Sequence, residues 1–254
     1  MTATVRVAAV GDVHAGADAE SADRLRRGFA RLADHADLLL LAGDLTRCGD
    51  PAEVAVVAEA VARTGVPAAA VLGNHDLHAG REAEVSSALL DAGVAVLEGD
   101  ACEVAAAGTR VGVAGVKGFG GGFAGACVSE FGEPEIKAFA RHAVEAAERL
   151  RRAMAEIDGA DVRIALTHYS PVRDTLRGEA PELYPFLGSY LLAEAIDGAG
   201  ADLAVHGHAH HGTERGTTPG GIRVRNVAQP VIGSAYRLYE LHPRAGAPQA
   251  AAAP

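Results

Sequence analysis

One pattern recurs along the chain: a short apolar run stops at a polar turn that contains glycine or proline. Val5–Val10 runs into Gly11-Asp12-Val13-His14, Leu38–Ala42 into Gly43-Asp44, and residues 68–72 into Gly73-Asn74-His75-Asp76. Residues 164–166 run into Thr167-His168-Tyr169-Ser170-Pro171, and residues 203–205 into His206-Gly207-His208-Ala209-His210-His211. Runs this short and apolar, bounded by chain breakers, predict buried strands. Helical segments fall between them. Residues 19–33 set Leu25, Phe29 and Leu32 against a charged side, residues 51–63 open on a proline suited to a first helical turn, residues 134–157 form a long Ala/Glu/Arg-rich segment, and residues 188–196 a shorter one. Strand–helix–strand alternation predicts parallel β-structure in an α/β fold. In mid-chain, residues 102–106 and 110–116 predict an antiparallel pair around a tight turn at Gly108, and residues 222–226 and 236–241 predict two late strands. The expectation is a single domain over residues 1–242, with two packed sheets and helices outside. The Pro/Ala-rich residues 243–254 are expected to be a disordered tail. Residues 117–125 (KGFGGGFAG) are glycine-rich and carry two phenylalanines, which predicts a mobile loop near the functional end, a lid or a wall.

Composition narrows the class. With 254 residues, 49% of them apolar, the chain can bury a full globular core. Aromatic residues are only 4% and tryptophan is absent, so that core must be built from Val, Leu and Ala. The net charge is −10, the only lysines are Lys117 and Lys137, and the arginines are scattered. No basic stripe exists to neutralise a nucleic-acid backbone. An acidic chain acting on an anionic substrate needs a local source of positive charge, and bound divalent cations supply one. Cys48, Cys102 and Cys127 are odd in number and lack CxxC spacing, which argues against a disulfide framework or a cysteine zinc site and for a reducing cytoplasm. The start, MTATVRVAAVGDVH, reads as a first strand rather than a signal peptide, and no apolar run has the length of a membrane helix.

The polar turns share one chemistry. In open α/β sheets ligands bind beyond the carboxyl ends of the strands, and five such loops here carry Asp, Asn or His. Imidazole, carboxylate and amide oxygen together suit borderline divalent metals such as Mn, Fe, Co, Ni or Zn, and suit Mg or Ca poorly. Asp12-x-His14 and His208-x-His210 are i, i+2 pairs, which point to one side in extended backbone. Glycines 11, 43, 73 and 207 are expected to let the backbone turn sharply and approach the ions. One ion does not need so many ligands. Two ions sharing a carboxylate, roughly 3.5–4 Å apart as in two-metal hydrolytic sites, use them all.

Asp12-x-His14, Gly43-Asp44, Gly73-Asn74-His75-Asp76, His168 and Gly207-His208-x-His210 resemble, in order and rough spacing, the five blocks of the calcineurin-like metallophosphoesterase superfamily. The resemblance covers residues 12–210, and no metal-ligand position is missing. It implies a four-layer α/β/β/α sandwich with two mixed sheets and a metal site at the carboxyl ends of the strands. It implies that Asp12, His14 and His210 hold one ion, that Asn74, His168 and His208 hold the other, and that Asp44 bridges both. It further implies hydrolysis of a phosphate ester by in-line attack of a metal-bridging hydroxide, with His75 over the phosphoryl group and Asp76 orienting His75. Asp44 is followed by Leu45-Thr46-Arg47-Cys48-Gly49, not by the Asp-Arg-Gly that the protein serine/threonine phosphatases carry after this aspartate, and Asp76 stands where they carry Glu. The sequence is more similar to the bacterial phosphodiesterase branch, which includes cyclic-nucleotide phosphodiesterases. A small phosphodiester is therefore the expected substrate. A phosphomonoesterase, or a non-catalytic metal-binding scaffold, are the alternatives.

Other residues are read more plainly. His206 is expected behind the ligands and His211 outside them, His78 either near the site in reach of substrate or on a solvated loop, and His35, His142 and His242 on the surface. Tyr169, Ser170 and Arg173 either line the pocket or follow a strand stopped by Pro171, and Cys48 is expected as a small buried residue.

Overall fold

A computed structural model describes residues 4–244. The expected tail at residues 245–254 lies outside the described residues, whereas residues 243 and 244 are placed, Arg244 pairing with Asp202 at 2.9 Å. The elements in chain order are β1 (Val5–Val10), α1 (Ala19–Phe29), α2 (Leu32–His35), β2 (Leu38–Ala42), α3 (Pro51–Ala62), β3 (Ala68–Val71), α4 (Glu82–Asp91), β4 (Val94–Val96), β5 (Asp100–Ala106), β6 (Thr109–Val116), β7 (Gly122–Phe123), β8 (Ala126–Cys127), α5 (Pro134–Glu156), β9 (Val162–Thr167), α6 (Tyr184–Leu187), α7 (Tyr190–Ala199), β10 (Leu203–His206), β11 (Arg215–Thr217), β12 (Arg223–Asn226), α8 (Gln229–Ile232) and β13 (Arg237–Leu241).

Two large mixed sheets form. One has the order β13-β1-β2-β3-β4, parallel except for β13, and the other has the order β11-β12-β10-β9-β6-β5, with antiparallel pairs at both edges. The alternation of side chains explains how they stack. In β2 every residue is buried, with Leu39 and Leu41 facing one way and Leu38, Leu40 and Ala42 the other. Strands buried on both faces read as continuous apolar runs. The second set meets Val113, Ile164, Leu166 and Val205 of the six-stranded sheet, so the sheets face each other. On the outer faces, Leu25 and Phe29 of α1 and Val54 and Val57 of α3 cover the first sheet, and Ala147, Leu150 and Met154 of α5 and Leu192 and Ile196 of α7 cover the second. Three apolar layers between four tiers give the α/β/β/α sandwich. Burying one of these Leu or Val side chains fully contributes about 1.5–3 kcal/mol.

Local chemistry sets the boundaries. Asp18 caps α1 by accepting from Ser21 N, and the helix ends at Phe29 before the short α2, where one continuous segment was expected. Ala107 and Gly108 both adopt positive φ between β5 and β6, the backbone of a two-residue hairpin turn. No helix among the described residues is long and apolar enough to cross a membrane.

The glycine-rich residues 117–125 differ from expectation. Residues 117–123 are buried or half-buried, Gly121 N and Gly122 N donate to Pro185 O and Gly188 O, and β7 pairs with β8. A Cβ on Gly120 would press on Pro185 O and Phe186. Glycine serves close packing here rather than mobility.

Candidate metal centre

The five polar loops converge at one end of the seam between the sheets. Asp12, Asp44 and Asn74 follow β1, β2 and β3 of the first sheet, and His168 and His208 follow β9 and β10 of the second. Two groups of side chains there can each hold a metal ion: Asp12, His14, Asp44 and His210, and Asp44, His168 and His208, with one ligand atom from each residue within 4.8 Å of the others in its group. Asp44 belongs to both. Asn74 Oδ1 lies 3.0 Å from His168 Nε2, beside the second group.

The donor set fits divalent cations. His14 Nε2 and His210 Nε2 face each other at 3.5 Å, and His210 Nε2 also lies 2.8 Å from Asp12 Oδ1. Imidazole nitrogens and carboxylates aimed at one point are the donor set that a cation with N/O preference takes. His168 is wholly buried, and its Nδ1 donates to Ala42 O at 2.8 Å, which leaves Nε2 toward Asp44 Oδ1 at 3.4 Å. His208 Nε2 is tied to Phe186 O at 3.2 Å, which leaves Nδ1 inward. A ring fixed through its second nitrogen by a backbone carbonyl is the usual support of a metal-binding histidine.

Charge follows this geometry. Burial disfavours the His168 imidazolium, but the Asp44 carboxylate beside it raises the group to about 9. Asp44, though buried, is held well below the usual carboxylate range by His168 and by the His75 backbone N–H. Burial, reinforced by His168, pushes His208 down to about 3. His14 is lowered by burial, whereas His210 is raised by its hydrogen bond to Asp12.

The backbone is strained at the same place. Among the described residues five non-glycine residues have positive φ: Asp12, His14, Asp44, His208 and, in the hairpin turn, Ala107. Strain of about 1–3 kcal/mol per residue persists only where the surroundings enforce it, and it clusters at functional sites. This corrects one expectation and part of another. Asp12 and His14 converge through left-handed backbone beyond the end of β1, not through extended alternation. Of the flanking glycines, Gly43 makes the expected turn at a φ of 80°, whereas Gly73 and Gly207 make room for ligand side chains: a Cβ at Gly73 would collide with the Asp44 carboxylate, and one at Gly207 with that of Asp12.

His75 is exposed, its ring lies edge-on to His14 at 4.5 Å, and its Nδ1 donates to Arg47 O at 2.7 Å. The partner expected in Asp76 is therefore a backbone carbonyl. Asp76 is buried and accepts from Leu45 N, Thr46 N, Thr46 Oγ1 and Gly73 N. It ties the Asp44 loop to the Asn74 loop and does not touch the imidazole. Burial pushes its carboxyl up from the ordinary value, opposed by these bonds.

The remaining histidines fall outside the donor groups. His206 is buried between Gly207 O and Thr175 Oγ1, His211 and His78 are exposed, and His242 is exposed. His35 is half-buried against Tyr236 OH, and His142, expected on the surface, is half-buried edge-on to Phe119 at 4.4 Å. Tyr169 packs at a tilt against His208 with ring centres 4.3 Å apart, and Ser170 is buried in hydrogen bonds to Val172 and Thr175. Cys48 is exposed rather than buried, its backbone N–H held by Glu53. Sequence reasoning missed Arg47 O and Phe186 O, because backbone carbonyls carry no residue-type signal.

A sequence model of the calcineurin-like phosphoesterases matches residues 5–212. The chain belongs to this family. Calcineurin-like phosphoesterases are metal-dependent, and both donor groups fall within the matched span. No curated protein matches the chain. Among solved structures, it is similar to Phosphopantetheinyl Hydrolase (PptH) from Mycobacterium tuberculosis, with TM-score 0.66, 16% identity and 100% of each chain covered. It is also similar to TT1561 of Thermus thermophilus, with TM-score 0.58, 19% identity, and 95% of this chain and 100% of the other covered. A third is GAP50, the anchor in the inner membrane complex of Plasmodium, with TM-score 0.56, 14% identity, and 90% and 72% covered. At such identities the likeness is one of fold.

Proposed function

We propose that the chain is a binuclear metal-dependent phosphodiesterase that hydrolyses a small phosphodiester, with residues 1–242 acting as one domain in the cytoplasm. The observation that carries this reading is the pair of donor groups joined through Asp44. Asp12, His14 and His210 would hold one divalent ion, Asn74, His168 and His208 the other, and Asp44 both. The imidazole-rich set favours Mn, Fe, Co, Ni or Zn. Such ions supply positive charge for the phosphoryl oxygens and lower the pKa of water to about 7.

The chain's own residues do the rest. Arg47 O fixes the tautomer and tilt of His75, so the proton that His75 exchanges sits on Nε2, which faces Asp44 Oδ2 at 4.0 Å. From there it would protonate the departing oxygen. Asp76 holds the loops of Asp44 and Asn74 in register, so donors from two strands meet at one point. Ala42 O and Phe186 O aim His168 and His208 before any ligand arrives.

The test is hydrolysis of bis(p-nitrophenyl) phosphate and p-nitrophenyl phosphate by chelator-stripped protein resupplied with Mn, Ni, Co, Zn or Mg in turn. Metal-dependent turnover favouring the diester is the expected result. Turnover of the monoester alone would make the chain a phosphomonoesterase, and inactivity with every metal would leave the scaffold reading.

A further inference from the structure

The ligand geometry leaves unused a cavity of about 560 Å³ that opens beside Asp12 and His14. Its other walls include Glu20 and Arg24 of α1, Arg47, and Gln229 of α8. Arg24 is the unusual member. One of its terminal nitrogens donates to Gln229 Oε1 at 2.7 Å, the other to Val13 O at 2.6 Å. Both acceptors are neutral. Arg47 across the cavity pairs with Asp18 at 3.2 Å, but among the described residues Arg24 has no ion-pair partner. Glu20, one helical turn earlier, lines the same space without pairing to it.

A guanidinium carries five N–H donors, so three remain free here, and the nearby carboxylate that feels its charge, Asp18, is paired directly with Arg47 instead. The two acceptors are themselves fixed. Val13 lies between Asp12 and His14, and Gln229 N donates to Gly11 O at 2.9 Å. The fork is thus braced from two sides, next to the residues proposed to hold the first ion. A braced guanidinium fork matches the oxygens of phosphate or carboxylate.

We propose that Arg24 forms a subsite for a second anionic group of the substrate, a phosphate or carboxylate a few bonds from the phosphate that is cleaved. The inference rests on the phosphoesterase reading above and narrows its substrates to compounds with two anionic groups.

Calorimetric titration of the metal-loaded full chain tests it, with propyl phosphate, 1,3-propanediol bisphosphate, 1,5-pentanediol bisphosphate and 4-phosphooxybutanoate as probes. At least one doubly anionic probe should bind about tenfold or more tightly than propyl phosphate, the scale of one charge-assisted hydrogen bond. Preference for the butanoate over both bisphosphates would assign the second group as carboxylate, and the reverse as phosphate. Arg24→Gln should bring the preference close to unity, and Arg24→Lys should keep part of it. Metal content and circular dichroism of Arg24→Gln report whether the Val13 loop has stayed in place. Equal affinity of all probes for the unaltered protein, or a preference that survives Arg24→Gln, overturns the subsite. These ratios are read from binding, so they stand apart from the p-nitrophenyl assays, whose failure would strike the phosphoesterase reading instead.

Discussion

The imidazoles of His14 and His210 beside Asp12 are half-buried, and His14 borders the cavity walled by Arg24, whereas His168 is sealed in the interior, with the half-buried His208 packed against Tyr169. In the open half, side chains hold one another: His210 bonds Asp12, and His14 faces His210. In the closed half each ring is clamped by a backbone carbonyl, Ala42 O or Phe186 O. The closed half is therefore pre-oriented by the fold, while the open half is set by mutual contacts within reach of solvent and substrate. Only Asp44 belongs to both.

The largest expected effect comes from removing that shared residue. Asp44→Asn should lose both ions together and reduce turnover by about a thousandfold or more, as single members of a catalytic unit do. Metal analysis after dialysis checks this, and a variant that keeps two full ions would show that the halves are independent. His75→Ala probes only the open side. It should keep both ions while turnover falls by about 10²–10³; loss of metal instead would make His75 a ligand.

Asp76→Ala acts behind both halves. It leaves the backbone N–H groups of Leu45, Thr46 and Gly73 without their acceptor, at a cost of about 2–4 kcal/mol in denaturant unfolding. An unchanged unfolding midpoint together with an altered pH–rate profile would return Asp76 to the role of partner to His75.

The smallest effect lies behind the closed half. Burial lowers His206 to about 3 from an ordinary 6.5, so between these values the unfolded chain binds the extra proton. Its contribution is complete above pH 6.5 and declines as pH falls toward 3, by about 1–2 kcal/mol at pH 5. His206→Gln should lose less stability than the unaltered protein between pH 7 and pH 5. Equal losses in urea unfolding would mean that His206 takes up its proton equally in the folded and unfolded states.

The sequence exposed this fold where burial was complete on both faces. The runs of β1, β2 and β9 could hardly be anything but interior strands, and the residues that end them are the ones that meet. Elements with little burial stayed silent. α4 buries only Val85 and Leu89, and β11 is three residues with only Gly216 buried. Adjacency in the chain misled at Asp76: its neighbour is His75, but its side-chain partners lie as far back as Leu45 and Thr46. Arg24 carried no signal, because its meaning depends on Gln229, 205 residues away.

Because the donors come from both sheets, the seam between them is also a gauge. The spacing of the facing layers, set by Leu40, Val71, Val113 and Ile164, sets how far the Asp44 loop stands from the His168 loop. A methyl group added or removed deep in that seam, far from any ligand, would act as a shim under the whole centre. A substitution in this aliphatic layer would thus move the donors relative to one another without altering any of them.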